Sequence, residues 1–182
     1  MNGLSVDGGT LKVAQEGSNV FGGSGDQNVS RVNTLTVATS GPNPIATLDL
    51  SNNEMVIDYT GTSPLAGTLS TGLGRWIAYA NAGGAWDQPG VKSSFCNEGT
   101  FGIGYGEASA ALGLAGSNTT SWNGQVVDAT SVLLKLTYYG DSNLDGAATE
   151  SELDHMLDEG NWKEAGLWTD GDYDYSGDVD EA

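Results

Sequence analysis

The chain reads Val132-Leu-Leu-Lys-Leu-Thr-Tyr138 and continues, after Tyr139-Gly140, as Asp141-Ser-Asn-Leu-Asp-Gly-Ala-Ala-Thr-Glu-Ser-Glu152. The first part is an apolar run with no internal Gly or Pro, which is typical of a buried strand. The second part fits the pattern D-x-[DN]-x-[DN]-G-x5-E of an EF-hand loop at every specified position. The sequence therefore predicts a core strand that leads directly into a metal-binding loop.

This first loop carries an oxygen donor at each position that a calcium ion requires. Calcium is a hard cation that takes about six to eight oxygen ligands, and a glycine at position 6 permits the sharp turn. Gly146 occupies that position. We predict ligation by side chains at positions 1, 3, 5, 9 and 12 and by the backbone carbonyl at position 7, which are Asp141, Asn143, Asp145, Thr149, Glu152 and Ala147.

A second loop of the same kind begins at Asp172, with Gly177 at its position 6. Its position 12 would fall one residue beyond Ala182, so we expect weaker binding unless Glu181, a terminal carboxylate or another chain closes the site. The plainer interpretation of both loops is a pair of acidic turns in a solvated tail. The candidate ligands of the second loop are Asp172, Asp174, Ser176, Asp178 and Asp180.

Charge is distributed unevenly along the chain, whose formal net charge is −18. Residues 141–182 hold 14 Asp and Glu against one basic residue, and residues 1–140 hold 10 against five. Such a balance repels nucleic acid and anionic lipid surfaces, because both must be neutralised by Lys and Arg. We therefore predict no nucleic-acid partner and a tail that differs in kind from the rest of the chain.

The predicted calcium loop favours an extracellular or cell-surface setting, and other sequence features argue against a membrane span. No run of 18 apolar residues is present, and the polar start Met1-Asn-Gly-Leu-Ser-Val6 is not a secretory signal, so we expect any signal to be removed or to lie outside this chain. Cys96 is the single cysteine, which excludes an internal disulfide and a cysteine-based zinc site. Calcium, which the two loops predict, is the one cofactor that we expect.

The region before the tail is predicted to be β-rich. Short segments with period-two alternation are typical of half-buried strands, and loose echoes among them favour either a β-solenoid or a β-sandwich. Apolar spacings of three and four residues from Ser63 to Tyr79 predict one embedded helix, and residues 150–158 predict another short one in the tail. We predict a mainly β domain over residues 1–139 and a small calcium module over residues 140–182. The predicted strands include Leu4–Val6, Thr10–Val13, Leu35–Val37, Ala46–Leu50, Met55–Ile57, Phe101–Glu107, Gln125–Val127 and Val132–Tyr138.

The paired loops resemble a type I dockerin, the calcium module of bacterial surface and cellulosomal proteins. The resemblance is carried by Tyr138-Tyr-Gly-Asp-Ser-Asn-Leu-Asp-Gly146 and Gly171-Asp-Tyr-Asp-Tyr-Ser-Gly-Asp-Val-Asp180, and it implies a cohesin-like protein partner. The chain departs from cohesin-binding dockerins at loop positions 10 and 11, where small hydroxylated residues are usual and Glu150-Ser151 and Glu181-Ala182 stand here. The β-rich region is similar to those of large secreted proteins of planctomycete-type bacteria.

These observations favour a structural role. We expect a self-associating subunit of a filament or surface layer, in which calcium orders the acidic tail. The alternative is a binding module that attaches to a cohesin-like partner or, through the rings of Trp86 and Trp122, to a polysaccharide. An enzyme is not predicted, because the carboxylates outside the tail form no recognisable catalytic motif; they include Glu54, Asp58, Asp87, Glu98 and Glu107.

Overall fold

The computed structural model describes residues 2–15, 17, 29–67, 69–157, 162 and 164–180. It is a mixed α/β fold, mostly strands in several small sheets with three short helices. The strands are β1 (Gly3–Val6), β2 (Gly9–Lys12), β3 (Val29–Val32), β4 (Thr34–Val37), β5 (Thr39–Ser40), β6 (Asn43–Pro44), β7 (Ala46–Asp49), β8 (Glu54–Asp58), β9 (Gly90–Lys92), β10 (Phe101–Glu107), β11 (Thr119–Trp122), β12 (Gln125–Asp128) and β13 (Ser131–Tyr138).

The helices are α1 (Gly72–Asn81), α2 (Ala108–Ala111) and α3 (Glu150–Leu157), and a single 3-10 turn spans Trp168–Asp170. No helix within the described ranges has the length and apolar character needed to cross a lipid bilayer. The predicted embedded helix is found, but it begins at Gly72 rather than near Ser63. The described residues between them, 64–67 and 69–70, form turns, because Gly67 and Gly72 interrupt the apolar stripe.

Most strand pairs in the first half of the chain are parallel, and the two-residue strands β5 and β6 form an antiparallel pair. β1 pairs in parallel with β4, β2 with β7, β7 with β9, and β3 with β8. This pattern explains the sequence echoes, because Leu4 lies opposite Leu35 and Leu11 opposite Leu48. The solenoid alternative is nevertheless not found, and no sheet closes within the described residues. A solenoid needs about three or more stacked repeats, whereas here the parallel pairing passes into antiparallel strands.

The largest sheet has the strand order β10-β13-β8-β3. β13 is central, and every residue from Ser131 to Thr137 is buried, as its uninterrupted apolar run predicts. β10 runs antiparallel to β13 over the full length of β10, from the Phe101–Tyr138 pair to the Glu107–Val132 pair. The bounds predicted for β10 are confirmed, and β13 begins one residue earlier than predicted.

One face of β10 carries no side chains, because Gly102, Gly104 and Gly106 alternate along it. We call this surface the glycine face. The acidic tail packs directly on it: a Cβ built at Gly102 would lie 3.3 Å from the Trp168 ring, and one at Gly104 would lie 2.6 Å from Leu144 Cδ2. The described part of the tail therefore shares the core of the β-rich region, because Leu144, Trp168 and Tyr175 all belong to the same buried cluster.

We predict that Gly104→Ala destabilises the protein by about 1–3 kcal/mol, because the added methyl group would displace Leu144 and Trp168 from the glycine face. Urea unfolding measures the loss. Gly8→Ala is the matched control, since a Cβ at Gly8 meets nothing within 4 Å. Equal stabilities of the two variants would show that the tail does not depend on the glycine face.

Candidate metal centre

The first loop is wound by its own backbone around the carboxylate of Asp141. Asp141 Oδ1 accepts a hydrogen bond from the backbone N–H of Asp145 at 3.0 Å, and Oδ2 accepts one from Gly146 at 2.9 Å. The winding needs a positive φ at Gly146 (97°) and at Leu144 (60°). Leu144 adopts this conformation because its side chain is fully buried under the loop.

The loop brings three carboxylates together. Ligand oxygens of Asp141, Asp145 and Glu152 all lie within 4.8 Å of one another, and Asp141 and Glu152 are buried. Like charges at this separation repel strongly unless a cation lies among them. The triad could hold a metal ion, and its donors are all oxygens, the ligands that hard cations prefer.

Glu152 is the member of the triad whose surroundings most favour a metal ligand. It lies in the first turn of α3 and is 3% exposed. Its Oε2 accepts hydrogen bonds from the backbone N–H (2.8 Å) and the hydroxyl of Thr149. Its Oε1 is buried without a hydrogen-bond partner among the described residues. Because leaving a buried carboxylate oxygen unpaired is costly, this atom fits the role of a calcium ligand at loop position 12.

The remaining predicted ligands of this loop lie around the triad. Asn143 Oδ1 accepts the N–H of Asp145 at 2.9 Å, and its Nδ2 donates to Asp145 Oδ2 at 3.2 Å. Ala147 is exposed and donates its N–H to Asp145 Oδ1 at 2.9 Å. The Thr149 hydroxyl is engaged with Glu152, as described above. The loop is therefore closed by hydrogen bonds that run between its own predicted ligands.

The second loop repeats the winding of the first. Asp172 is 1% exposed, and its two carboxylate oxygens accept the N–H groups of Ser176 (3.0 Å) and Gly177 (2.9 Å). Asp174 Oδ1 accepts the same Ser176 N–H at 3.0 Å, as Asn143 does for Asp145. Tyr175 and Gly177 have φ values of 63° and 98°, close to their counterparts in the first loop. The sequence repeat is thus also a structural repeat.

The second loop differs in its acidic donors. Within the described ranges, the grouping of three acidic ligands occurs at the first loop alone. Asp178 and Asp180 are exposed, and Glu181 and Ala182 lie outside the described residues. Asp178 pairs as an antiparallel bridge with Ala165. The weaker binding expected of the second loop stays a prediction.

Burial shifts the pKa of the aspartate at position 1 of each loop. Burial raises the pKa of Asp141, and the Thr137 hydroxyl and the Gly146 N–H oppose this effect. Burial raises the pKa of Asp172 to about 7, aided by the neighbouring Asp174. A divalent cation would favour the ionised form of both groups by direct Coulomb attraction.

The sequence did not predict the residues that donate hydrogen bonds to the backbone of the first loop from the protein core. The Trp168 indole N–H donates to the Asp141 carbonyl at 2.7 Å in a fully buried contact. Lys135 Nζ and Trp122 Nε1 donate to the Leu144 carbonyl at 3.3 and 3.4 Å. Two features of the sequence could have indicated these contacts. The Gly-x-Gly-x-Gly run of β10 is typical of a strand on which another part of the chain packs closely. A lysine within an apolar strand is expected to have a buried polar partner.

The carbohydrate prediction at Trp86 and Trp122 is corrected by the structure. Trp86 is 6% exposed and Trp122 is 5% exposed, and both belong to the hydrophobic core. Their N–H groups bond inward, to the Tyr139 hydroxyl and the Leu144 carbonyl respectively. A ring that stacks on a sugar needs a solvent-facing surface, which neither residue offers.

Comparison with known proteins adds no assignment. No family model matches this chain, and no match is found among curated proteins or solved structures. The resemblance to dockerins therefore stays a prediction that rests on the loop residues.

We predict that Glu152→Gln lowers calcium affinity by about tenfold or more, because it removes the charge of the closing ligand. Isothermal titration with calcium measures the change. Glu150→Gln is the matched control, since Glu150 lies on the same helix turn, is exposed and is outside the triad. The assignment would be refuted by a similar loss in both variants.

Proposed function

We propose that this protein is an extracellular calcium-binding structural protein whose acidic tail is a dockerin-like module. The observation that carries the proposal is the unpartnered, buried Glu152 Oε1 beside the carboxylates of Asp141 and Asp145. Three features favour calcium over zinc at this site. They are the EF-hand spacing, the donor set made only of oxygens, and a loop whose backbone is already wound around Asp141. Magnesium is less favoured, because it demands a rigid octahedron and keeps several of its waters.

The proposed role of calcium is to hold the tail on the glycine face. Bound calcium would supply a positive charge among the three carboxylates. Side chains of the tail attach the loops to β10. Asp141 would present its carboxylate to the ion, and its carbonyl accepts a hydrogen bond from Trp168, whose ring packs against the glycine face of β10. Tyr175 of the second loop adds a hydrogen bond from its hydroxyl to the Ile103 carbonyl of the same strand at 3.2 Å.

We predict that calcium stabilises the protein by about 2.7 kcal/mol when its free concentration is about 100 times the dissociation constant. Hydrogen exchange should show the gain in residues 141–157 and 168–177, which form the loops and their supports. Chelated protein provides the baseline, and Glu152→Gln should lose the effect. Protection confined to the β-rich region would contradict calcium-dependent docking of the tail.

The proposed assembly is a filament or surface layer of identical subunits. We propose a sandwich-like packing of the small sheets around their common core, which leaves strand edges available. β2 is such an edge, paired on one side with β7, and all four of its residues are exposed. Exposed edges are sites where a strand of a second copy can add. The second loop offers a further contact, because a neighbour's carboxylate could complete it.

Size-exclusion light scattering in millimolar calcium and in chelator tests this assembly. We expect polymer in calcium and monomer in chelator, and we expect the double variant Asp172→Ala, Asp174→Ala to reduce polymer formation. Asp154→Ala is the control, because it removes an exposed tail charge outside both loops. A monomer in both buffers would rule out calcium-driven self-assembly.

A second candidate function is attachment to a protein partner, for which a cohesin-like domain is the expected class. The observation that favours it is on α3, where Leu153 and Leu157 are 49% and 51% exposed although both are apolar. Exposed apolar side chains on one helix face are typical of a docking surface. Binding of a cohesin-like domain to the calcium-loaded monomer, lost in Leu153→Lys, would favour this function over self-assembly.

A further inference from the structure

A cleft next to the second loop has the features of a ligand site that is distinct from the acidic triad of the first loop and shares Asp174 with the second loop. Its volume is about 490 Å³, within the range of small-molecule pockets. Two aromatic rings, two carboxylates and one buried amide line it, together with glycines: Tyr139, Tyr173, Glu98, Asp174 and Asn81. It lies where the α1 end, the turn before β10 and the tail meet.

The polar groups of the aromatic and amide side chains are already engaged. The Tyr139 hydroxyl accepts the Trp86 indole N–H at 3.4 Å, and the Tyr173 hydroxyl donates to the Gly140 carbonyl at 3.2 Å. Asn81 is 3% exposed, and its Oδ1 accepts the N–H groups of Gly83 and Gly84 at 3.0 and 3.1 Å. The tyrosines therefore contribute mainly ring surface to the cleft.

The charged groups of the cleft are all negative. Glu98 and Asp174 are exposed, and neither forms an ion pair within the part of the chain that the structure describes. The stem of Glu98 lies across Gly84, where an added Cβ would be 3.1 Å from Glu98 Cγ. This contact holds the Glu98 carboxylate at the rim. Lys, Arg and His are absent from the residues that line the cleft.

We propose that this cleft binds an organic ammonium group, with the rings of Tyr139 and Tyr173 facing the cation and Glu98 balancing its charge. Aromatic faces attract cations through their quadrupole, and quaternary ammonium ligands are recognised in this way. The protein's net charge of −18 attracts cations to the site and disfavours phosphates and acidic sugars. A neutral saccharide would leave the Glu98 charge without a counterion.

This inference does not rest on the proposed function. Glu98 belongs to neither calcium loop, whereas Asp174 is shared with the second loop through its bond to Ser176 and is left unchanged in the test. Calcium binding is measured separately by titration, so a failure of the metal assignment and a failure of the cleft assignment give different results.

The experiment titrates the calcium-saturated full chain with choline and, in parallel, with 3,3-dimethylbutan-1-ol, its uncharged isostere, followed by NMR shifts. We expect choline to bind at least about tenfold more tightly than the alcohol. Glu98→Gln should weaken choline about two- to fivefold, as loss of a solvent-exposed charge contact does. Tyr139→Phe should keep the affinity within about twofold, because the ring face remains.

Asp7→Asn is the control for overall charge, since Asp7 is exposed at the end of β1, far from the cleft in sequence and outside its lining. It should leave choline affinity unchanged. Equal binding of choline and the alcohol would overturn the proposal, as would the absence of choline binding. An equal loss in Glu98→Gln and Asp7→Asn would also overturn it, because the effect would then come from net charge alone.

Discussion

The hydrogen bond from the Trp168 indole to the Asp141 carbonyl joins the tail, the first loop and the central sheet. It forms only because Gly102 and Gly104 leave room for the indole ring on β10. The ring also contacts Tyr175 of the second loop, with ring centroids 5.4 Å apart. Both loops are thus anchored to one buried side chain. A buried donor that lost its acceptor here would be costly, so the loop and the tail are expected to order together.

The carboxylates of the acidic tail differ in their burial and in their hydrogen bonds. Asp141 and Asp172 are buried and accept hydrogen bonds from backbone N–H groups, which favour their charged form, and Lys135 adds a favourable Coulomb interaction at Asp141. Glu152 is buried with one oxygen unsatisfied, and it belongs to the triad that could hold a metal ion. Most other acidic residues of the described tail are exposed, where water screens them. The proposed calcium requirement follows from Glu152 and its two neighbours rather than from acidity as such.

The tail therefore differs from an independent module attached by a linker. Its aromatic residues contribute to the core of the β-rich region, and the strand that carries the first loop is the central strand of the main sheet. An ion bound in the loop would act on the stability of the whole chain. The cleft proposed for ammonium ligands also depends on this arrangement, because Tyr173 comes from the tail and Glu98 from the β-rich region.

The sequence by itself determined the local features. The loop over residues 141–152, the strands β10 and β13 and the short helix α3 follow from spacing and periodicity, which act over neighbouring residues. The start of α1 was misplaced, because apolar spacing alone does not report the turns that glycines introduce. Only the tertiary structure decided that Trp86 and Trp122 are buried, that Trp168 supports Asp141 and that β10 receives the tail. These contacts join residues far apart in the chain, and their geometry depends on how all the elements pack together.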